Sequence, residues 1–379
     1  DYDIEIILAG GRYELSDTFW LTEKDSGYNH HTVTYKSADG ERAEITGSKK
    51  INSWENYSGS IRRADIGGNT NLIVYEDDKR AAEARYPNSG WLYMQSNSGD
   101  LNYSFKFRDD GIPAAENIDI MKVCYWASDC FVYYNDIESI DYETKTIKTK
   151  QSIRGTGYDN VRYFLCGAME YLDSPGEFYN GKDGILYYIP VSDEGNVEVT
   201  VCSRNLIEIH GSSDTAPAKN IVFDGVTVKN SAFGRSLIRM ENARNITVRN
   251  CILKNSGQEG IDIAYWAKNN IVENNRISNI GHTGVMIYGK YARTYAVNSG
   301  NRIINNEISD VGELKGDGSC VNVFESRSNI IRNNKLYNSG RYCISMSGFD
   351  IYSWDGKKDL INPEPVYENR NCYSHTNDN

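Results

Sequence analysis

Nowhere in the 379-residue chain do 18 apolar residues run together, so it offers no candidate membrane-spanning helix. It opens on Asp1 rather than Met, and no export signal precedes the first strand-like run, Ile4-Glu-Ile-Ile-Leu8. A trimmed chain that has lost an export signal is the expectation, which places the protein outside the cell, secreted or on the cell surface. The 3.6-residue periodicity of helical repeats is missing. No CxxC pair and no His/Cys spacing suits zinc, and the eight Cys show no disulfide framework, although Cys124 and Cys130 are close enough in sequence to pair. Positive charge is short: 41 Lys and Arg face 52 Asp and Glu, a net charge of −11 that argues against nucleic acid as a partner. Phe is scarce beside Tyr, 10 against 28. Tyr offers a flat apolar face with a polar edge, which suits a wet, ring-shaped ligand such as a sugar. Tyr as a plain strand former remains open beside that reading.

What is present is a phrase that repeats. Asn270-Ile-Val-Glu-Asn-Asn-Arg-Ile-Ser-Asn-Ile-Gly281 returns as Asn301-Arg-Ile-Ile-Asn-Asn-Glu-Ile-Ser-Asp-Val-Gly312 and as Asn329-Ile-Ile-Arg-Asn-Asn-Lys-Leu-Tyr-Asn-Ser-Gly340. Weaker copies start at Asn245 and Asn220. The second Asn of the phrase, or its equivalent, falls at Gly225, Asn250, Asn275, Asn306, Asn334 and Arg370, steps of 25, 25, 31, 28 and 36 residues. A period that lengthens by insertion while keeping its phrase marks a solenoid. Each unit holds short Ile- and Val-rich runs between Asn or Gly corners, and Asn tolerates the left-handed backbone that a sharp corner needs. The expected fold is all-β: a parallel β-helix.

Residues 1–50 read as N-terminal β-helix coils. Residues 51–200 break the rhythm with longer alternating strands, a hairpin over residues 137–149 and another near Gly184–Pro190, and read as an inserted β-rich subdomain. Residues 201–379 read as regular coils. The last phrase restarts at Tyr367 and stops at Asn379 with nothing resembling a cap, so further protein is expected beyond it. Cys320 and Cys343 take the place of Gly260 and Gly284 in successive coils and are expected to stack as buried thiols.

Several phrases resemble glycoside hydrolase family 141 and its unclassified β-helix relatives. They are Leu8-Ala-Gly-Gly-Arg-Tyr-Glu-Leu15 with Leu21-Thr-Glu-Lys-Asp-Ser-Gly27, Val33-Thr-Tyr-Lys-Ser-Ala-Asp-Gly-Glu-Arg42, Ala84-Arg-Tyr-Pro-Asn88, Tyr171-Leu-Asp-Ser-Pro-Gly-Glu-Phe-Tyr179 and Ile185-Leu-Tyr-Tyr-Ile-Pro190. The resemblance spans most of the chain. It implies a right-handed helix and a secreted bacterial enzyme on plant cell-wall glycans, with fucosidase and xylanase activities known among its members. It also implies a further coil with an Asp-x-Gly-Ala-like segment, which would fall after Asn379. The implied partner is a polysaccharide or oligosaccharide bound by a monomer, with no nucleic acid and no membrane.

Glycoside hydrolysis uses two carboxyl groups. One face of the coils can be laid out by alternation: Ile238-Arg-Met-Glu241, Ile261-Asp-Ile-Ala264, Val285-Met-Ile-Tyr288, Val321-Asn-Val-Phe324 and Ile344-Ser-Met-Ser347. The first and third residues of each point inward. The outward columns are Arg239, Asp262, Met286, Asn322, Ser345 and Glu241, Ala264, Tyr288, Phe324, Ser347, with Trp266 extending its strand. Asp262 is the first catalytic candidate, and Glu259, Glu241 and Asp317 are candidates for its partner. Arg239, Trp266, His282, Tyr288, Asn322, Phe324 and the loop residue Trp354 are the candidate substrate contacts. Carboxyls on adjacent coils lie about 5 Å apart and on alternate coils about 10 Å, so either stereochemical outcome is reachable. Plainer readings stand beside these: Asp317 as a turn residue, His282 as a turn cap, Trp266 as a cover over the coil, Asp262 as a salt-bridge partner of Arg239. A polysaccharide lyase using Arg239 or Lys290 as base is the competing enzyme, although no tight acidic cluster for calcium stands out. A non-catalytic glycan-binding or adhesin solenoid is the competing binding module. The reaction calls for no cofactor; a structural calcium ion stays open, since the Asp-rich loops lack EF-hand spacing.

Overall fold

The structure, a computed structural model, describes residues 2–68, 72–95, 103–109, 111–128, 130–154, 160–181, 183–289 and 298–347. The chain divides into two compact units, one of Asp1–Lys49, Thr200–Leu314 and Gly318–Asn379, the other of Lys50–Val199 with Lys315–Asp317.

The first unit is a parallel β-helix, as the repeat leads one to expect, and it is right-handed, as the resemblance implies. Seven coils each give one strand to each of three seven-stranded parallel sheets. The first sheet runs from Ile4–Leu8 to Ile330–Arg332 and the second from Gly11–Glu14 to Lys335–Ser339. The third, which carries the candidate site, stacks Phe19–Leu21, Ile207–His210, Ile238–Glu241, Ile261–Ile263, Val285–Tyr288, Val321–Phe324 and Ile344–Ser347 in that order. Alternation places Ile238, Met240, Ile261, Ile263, Val285, Ile287, Val321 and Val323 in the interior, all fully buried. The second unit leaves the coil after the second-sheet strand Ala43–Thr46, and the chain re-enters at the third-sheet strand Ile207–His210 of the same coil.

The Asn phrase does two separate jobs. Immediately after each of the last five first-sheet strands a residue takes a left-handed backbone: Gly225, Asn250, Asn274, Asn305 and Asn333, with φ between 55° and 69°. The next position points inward, and there Asn275 donates to Asn306 Oδ1 (3.0 Å) and to the Val248 carbonyl (2.9 Å), while its own Oδ1 accepts the Cys251 N–H (2.9 Å). The sequence pairs Asn250 with Asn275; the register Arg249↔Glu273 instead aligns Asn250 with Asn274 and Cys251 with Asn275. Corner and ladder look alike as letters, and only the coil geometry separates them. Two more ladders occupy the other corners, Asn270–Asn301–Asn329 and Asn230–Asn255–Asn279. Replacing Asn275 by Ala strands the buried Val248 carbonyl and Cys251 N–H, and the expected cost is about 2–4 kcal/mol. A thermal melt that leaves the midpoint in place would show that water takes over both bonds.

The second unit is antiparallel. Residues Ile137–Thr149 form the expected hairpin, with Ile140 opposite Ile147, and Glu177–Asn180 pairs with Ile185–Tyr188 to form the other. Six strands close into a ring, because Lys122–Trp126 pairs with both Val132–Asp141 and Arg162–Cys166. Its core holds Phe105, Tyr125, Ile137, Tyr163 and Leu165.

The cysteine expectations need correcting. Cys124 and Cys130 do not pair, and all the described cysteines are free thiols. Cys320 and Cys343 do stack in register with Gly260 and Gly284, but only Cys320 is buried; Cys343 is exposed.

Candidate functional site

On the third sheet the register places Glu208, Arg239, Asp262, Met286, Asn322 and Ser345 side by side on successive strands, one column pointing outward. The strand alternation forces this: Ile207, Ile238, Ile261 and Val285 are pulled into the core, so the residues that follow them face out.

Arg239 is the hub. Its guanidinium pairs with Asp262 Oδ2, donates to Glu241 Oε2 at 2.9 Å, and lies 3.9 Å from Glu208 Oε2. Those acids, together with Asp262, hold its pKa above the ordinary arginine value despite burial. The Asp262–Arg239 contact is the salt bridge named as the plainer reading. It does not neutralise the site, because several carboxyls share one guanidinium.

Glu259 sits at the corner before the strand Ile261–Ile263 and is 6% exposed. Its oxygens accept from Ser236 Oγ (2.9 Å) and Gln258 Nε2 (3.0 Å), and Oε1 lies 2.9 Å from His282 Nδ1. His282 is therefore bound side chain to side chain rather than acting only as a turn cap. Asp262, 7% exposed, has its carboxyl raised to about 7, first by burial and then by the charge of Glu259, with Arg239 pulling the other way. The sign follows for stability. A folded pKa above the ordinary 3.8 means that the contribution of Asp262 to the fold is complete below about pH 3.8 and is lost as the pH rises through about 7. Glu208, also buried, is raised by desolvation.

Aromatic rings border the acids. Tyr288 and Phe324, neighbours in register, stack at 5.2 Å with planes 10° apart, and Tyr265 meets Tyr288 edge-on at 5.6 Å. Tyr265 also lies under the Arg239 guanidinium at 5.8 Å. Trp20, 46% exposed, neighbours Glu208 in register and contacts the His210 ring at 6.4 Å. Among the described residues no group of three or more His, Cys, Asp or Glu is placed to hold a metal ion.

The structure thus brings together Asp262, Glu259, Glu241, Arg239 and His282, with Tyr288, Phe324 and Asn322 along the same sheet. Two expectations are corrected. The strand ends at Ile263, so Ala264 does not face out but is buried, its N–H donating to the Met240 carbonyl. Trp266 does not extend that strand; it lies in the following turn with a left-handed backbone (φ 57°), edge-on to Tyr265. Asp317 groups with the second unit. Trp354 and Lys290 lie outside the described residues. Glu208, His210 and Trp20 are the members that sequence reasoning missed. Ile207-Glu-Ile-His210 carries the same alternation as Ile238-Arg-Met-Glu241 and was the available signal.

The family described as "Right handed beta helix region" matches residues 192–359, under half of the chain. No curated protein sequence matches the chain. Among solved structures, one described as "Glycoside hydrolase" is similar with a TM-score of 0.70 at 16% identity, covering 86% of this chain and 70% of that one. "The complex structure of XylC with xylose" is similar at a TM-score of 0.46 and 14% identity, covering 90% of this chain and 58% of that one. A tailspike of Acinetobacter baumannii bacteriophage AP22, in complex with a capsular saccharide, gives 0.25 at 9% identity, covering 90% and 50%. At such identities the first likeness shows the shared β-helix fold, and the other two carry no argument.

Proposed function

We propose that the chain is a glycoside hydrolase acting on a plant cell-wall polysaccharide, xylan or a fucosylated pectic glycan, as a monomer outside the bacterial cell. One observation carries the reading: a buried carboxyl that keeps its proton to about pH 7 stands beside a second carboxyl on an aromatic-bordered face. Hydrolysis needs a group that still holds a proton at working pH and a second carboxylate that attacks or activates water. Asp262 supplies the proton to the leaving oxygen. Glu259, its position fixed by Ser236, Gln258 and His282, is the base or nucleophile. Trp20, 46% exposed, supplies a ring for sugar stacking, and Tyr288 and Phe324, stacked on each other, border the same face. The resemblance to family 141 supplies the substrate class. The reaction as proposed uses no cofactor, with calcium, if bound, in a structural role.

The lyase reading fares worse. Of its two candidate bases, Lys290 lies outside the described residues, and Arg239 has its charged form stabilised by the three acids around it. Product analysis on xylan, fucosylated pectin and polygalacturonate separates the readings. Reducing sugar from the neutral glycans supports hydrolysis, unsaturated product from polygalacturonate supports a lyase, and retention on glycan without product supports a binding solenoid. The pH profile gives a second check. An acid with a raised pKa works only below that pKa, so kcat/KM is expected to fall as the pH rises through about 7. A profile flat from pH 5 to 9 would remove Asp262 from the acid role.

A further inference from the structure

The second unit holds a cleft of about 360 Å³ built on its own sheet, independent of the acids above. The volume lies within the about 300–1,000 Å³ of small-molecule sites. Its wall is three tyrosines. Tyr179 and Tyr187 face each other across the hairpin of Glu177–Asn180 and Ile185–Tyr188, with ring centroids 6.0 Å apart. Ile185–Tyr188 pairs in turn with Ile61–Asp65, and that strand with Glu55–Ser58. The last pairing slips between Asn56 and Ser58, which makes Tyr57 the bulged residue. A bulge re-aims its side chain, and here the Tyr57 ring stands edge-on to Tyr187 at 4.9 Å, still 49% exposed.

Beside the rings and Met169 the lining is polar. Glu116, Asn117 and Glu170 line it with Gly181 and Asp183; among the described residues its lining contains no Lys or Arg, and Arg63, whose guanidinium lies over the Tyr57 ring at 5.9 Å, is paired with Glu55 at 2.8 Å. The Glu116 N–H donates to Glu170 Oε1 (3.1 Å), which fixes that carboxylate. At Gly181 a Cβ would come within 2.4 Å of Asp183 Oδ1, so a side chain there would displace the Asp183 carboxylate.

We infer that this cleft is a second saccharide-binding site, taking a neutral sugar. Ring faces with carboxylate and amide acceptors match a pyranose, which presents C–H groups on one face and hydroxyl donors around its edge. Three acids in the lining, with the neighbouring Arg63 already paired to Glu55, repel a uronic acid. The sugar class rests in part on the glycan reading above; the site does not. Its role would be to hold substrate near the enzyme, adding effective concentration without chemistry.

Tyr57→Ala tests it on the full chain, since an exposed ring can be removed with little cost to folding. Binding of xylohexaose, cellohexaose and mannohexaose is followed by calorimetry, with hexagalacturonate as the acidic probe. The expected result is that at least one neutral hexasaccharide binds about tenfold more weakly to Tyr57→Ala, the loss of one ring contact, that Tyr57→Phe binds as wild type, and that hydrolysis of a short aryl glycoside is unchanged. If no product forms from any glycan yet Tyr57→Ala still weakens binding, the hydrolase reading fails and the site stands. If Tyr57→Ala binds every probe as wild type does, or if hexagalacturonate is the ligand that depends on Tyr57, the inference is overturned whatever the activity.

Discussion

Asp262→Asn is expected to lower kcat/KM on polysaccharide by about 10²–10⁴-fold, the usual size of a lost general acid. Asn keeps the volume of Asp and can still accept from Arg239, so the melting temperature should move little. Leaving groups give the decisive comparison. An acid matters most when the departing oxygen is strongly basic and least when it departs as a stable phenolate. The variant should therefore lose most of its activity on xylan and far less on a dinitrophenyl glycoside. Glu259→Gln removes the group that attacks or activates water, so it should lose activity on both substrates alike. Equal losses for Asp262→Asn on both substrates would take the proton-donor role away from Asp262. No loss in either variant would move the chemistry off this sheet.

Arg239→Met is expected to destabilise the fold by about 3–5 kcal/mol at pH 7, because it leaves Asp262, Glu241 and Glu208 buried or half-buried without their cation. The loss should shrink on acidification. Without the guanidinium the carboxyls hold their protons to higher pH, so the variant's deficit lies above their ordinary range and fades as they protonate towards about pH 4. Denaturant melts of both proteins at pH 4.5 and pH 8 measure this directly. A deficit that stays constant across that range would mean that Arg239 acts through packing of its stem rather than through charge.

The outward column from Arg239 to Ser345 was legible because a parallel coil repeats its strand in register, so a two-residue alternation read in one coil holds in the next. What was not legible has particular causes. Glu208, His210 and Trp20 lie before the regular phrase, and the 150 residues of Lys50–Val199 separate the first two from the coil they complete. Ala264 and Trp266 were misplaced because the strand stops one residue early, where Ala264 gives its N–H to Met240. The hydrogen bonds around Glu259 and His282 join neighbouring coils, 23 residues apart, and no local pattern announces them. The one-residue slip in the Asn phrase arose because corner and ladder use the same letter.

The point at which the second unit leaves the helix has a consequence for how the chain is made. Residues 1–49 leave the ribosome before the second unit, but the strands that complete their coils arrive only after it. Val33 and Tyr35 pair with Ile221 and Phe223, and Phe19 and Leu21 pair with Ile207 and Ile209. Until then the opening two coils have half a core and an unpaired edge. Lys50–Val199 can close its own ring of strands in the meantime, so its completion precedes that of the segment synthesised before it. The coils of residues 1–49, although translated before the second unit, gain their structure after it.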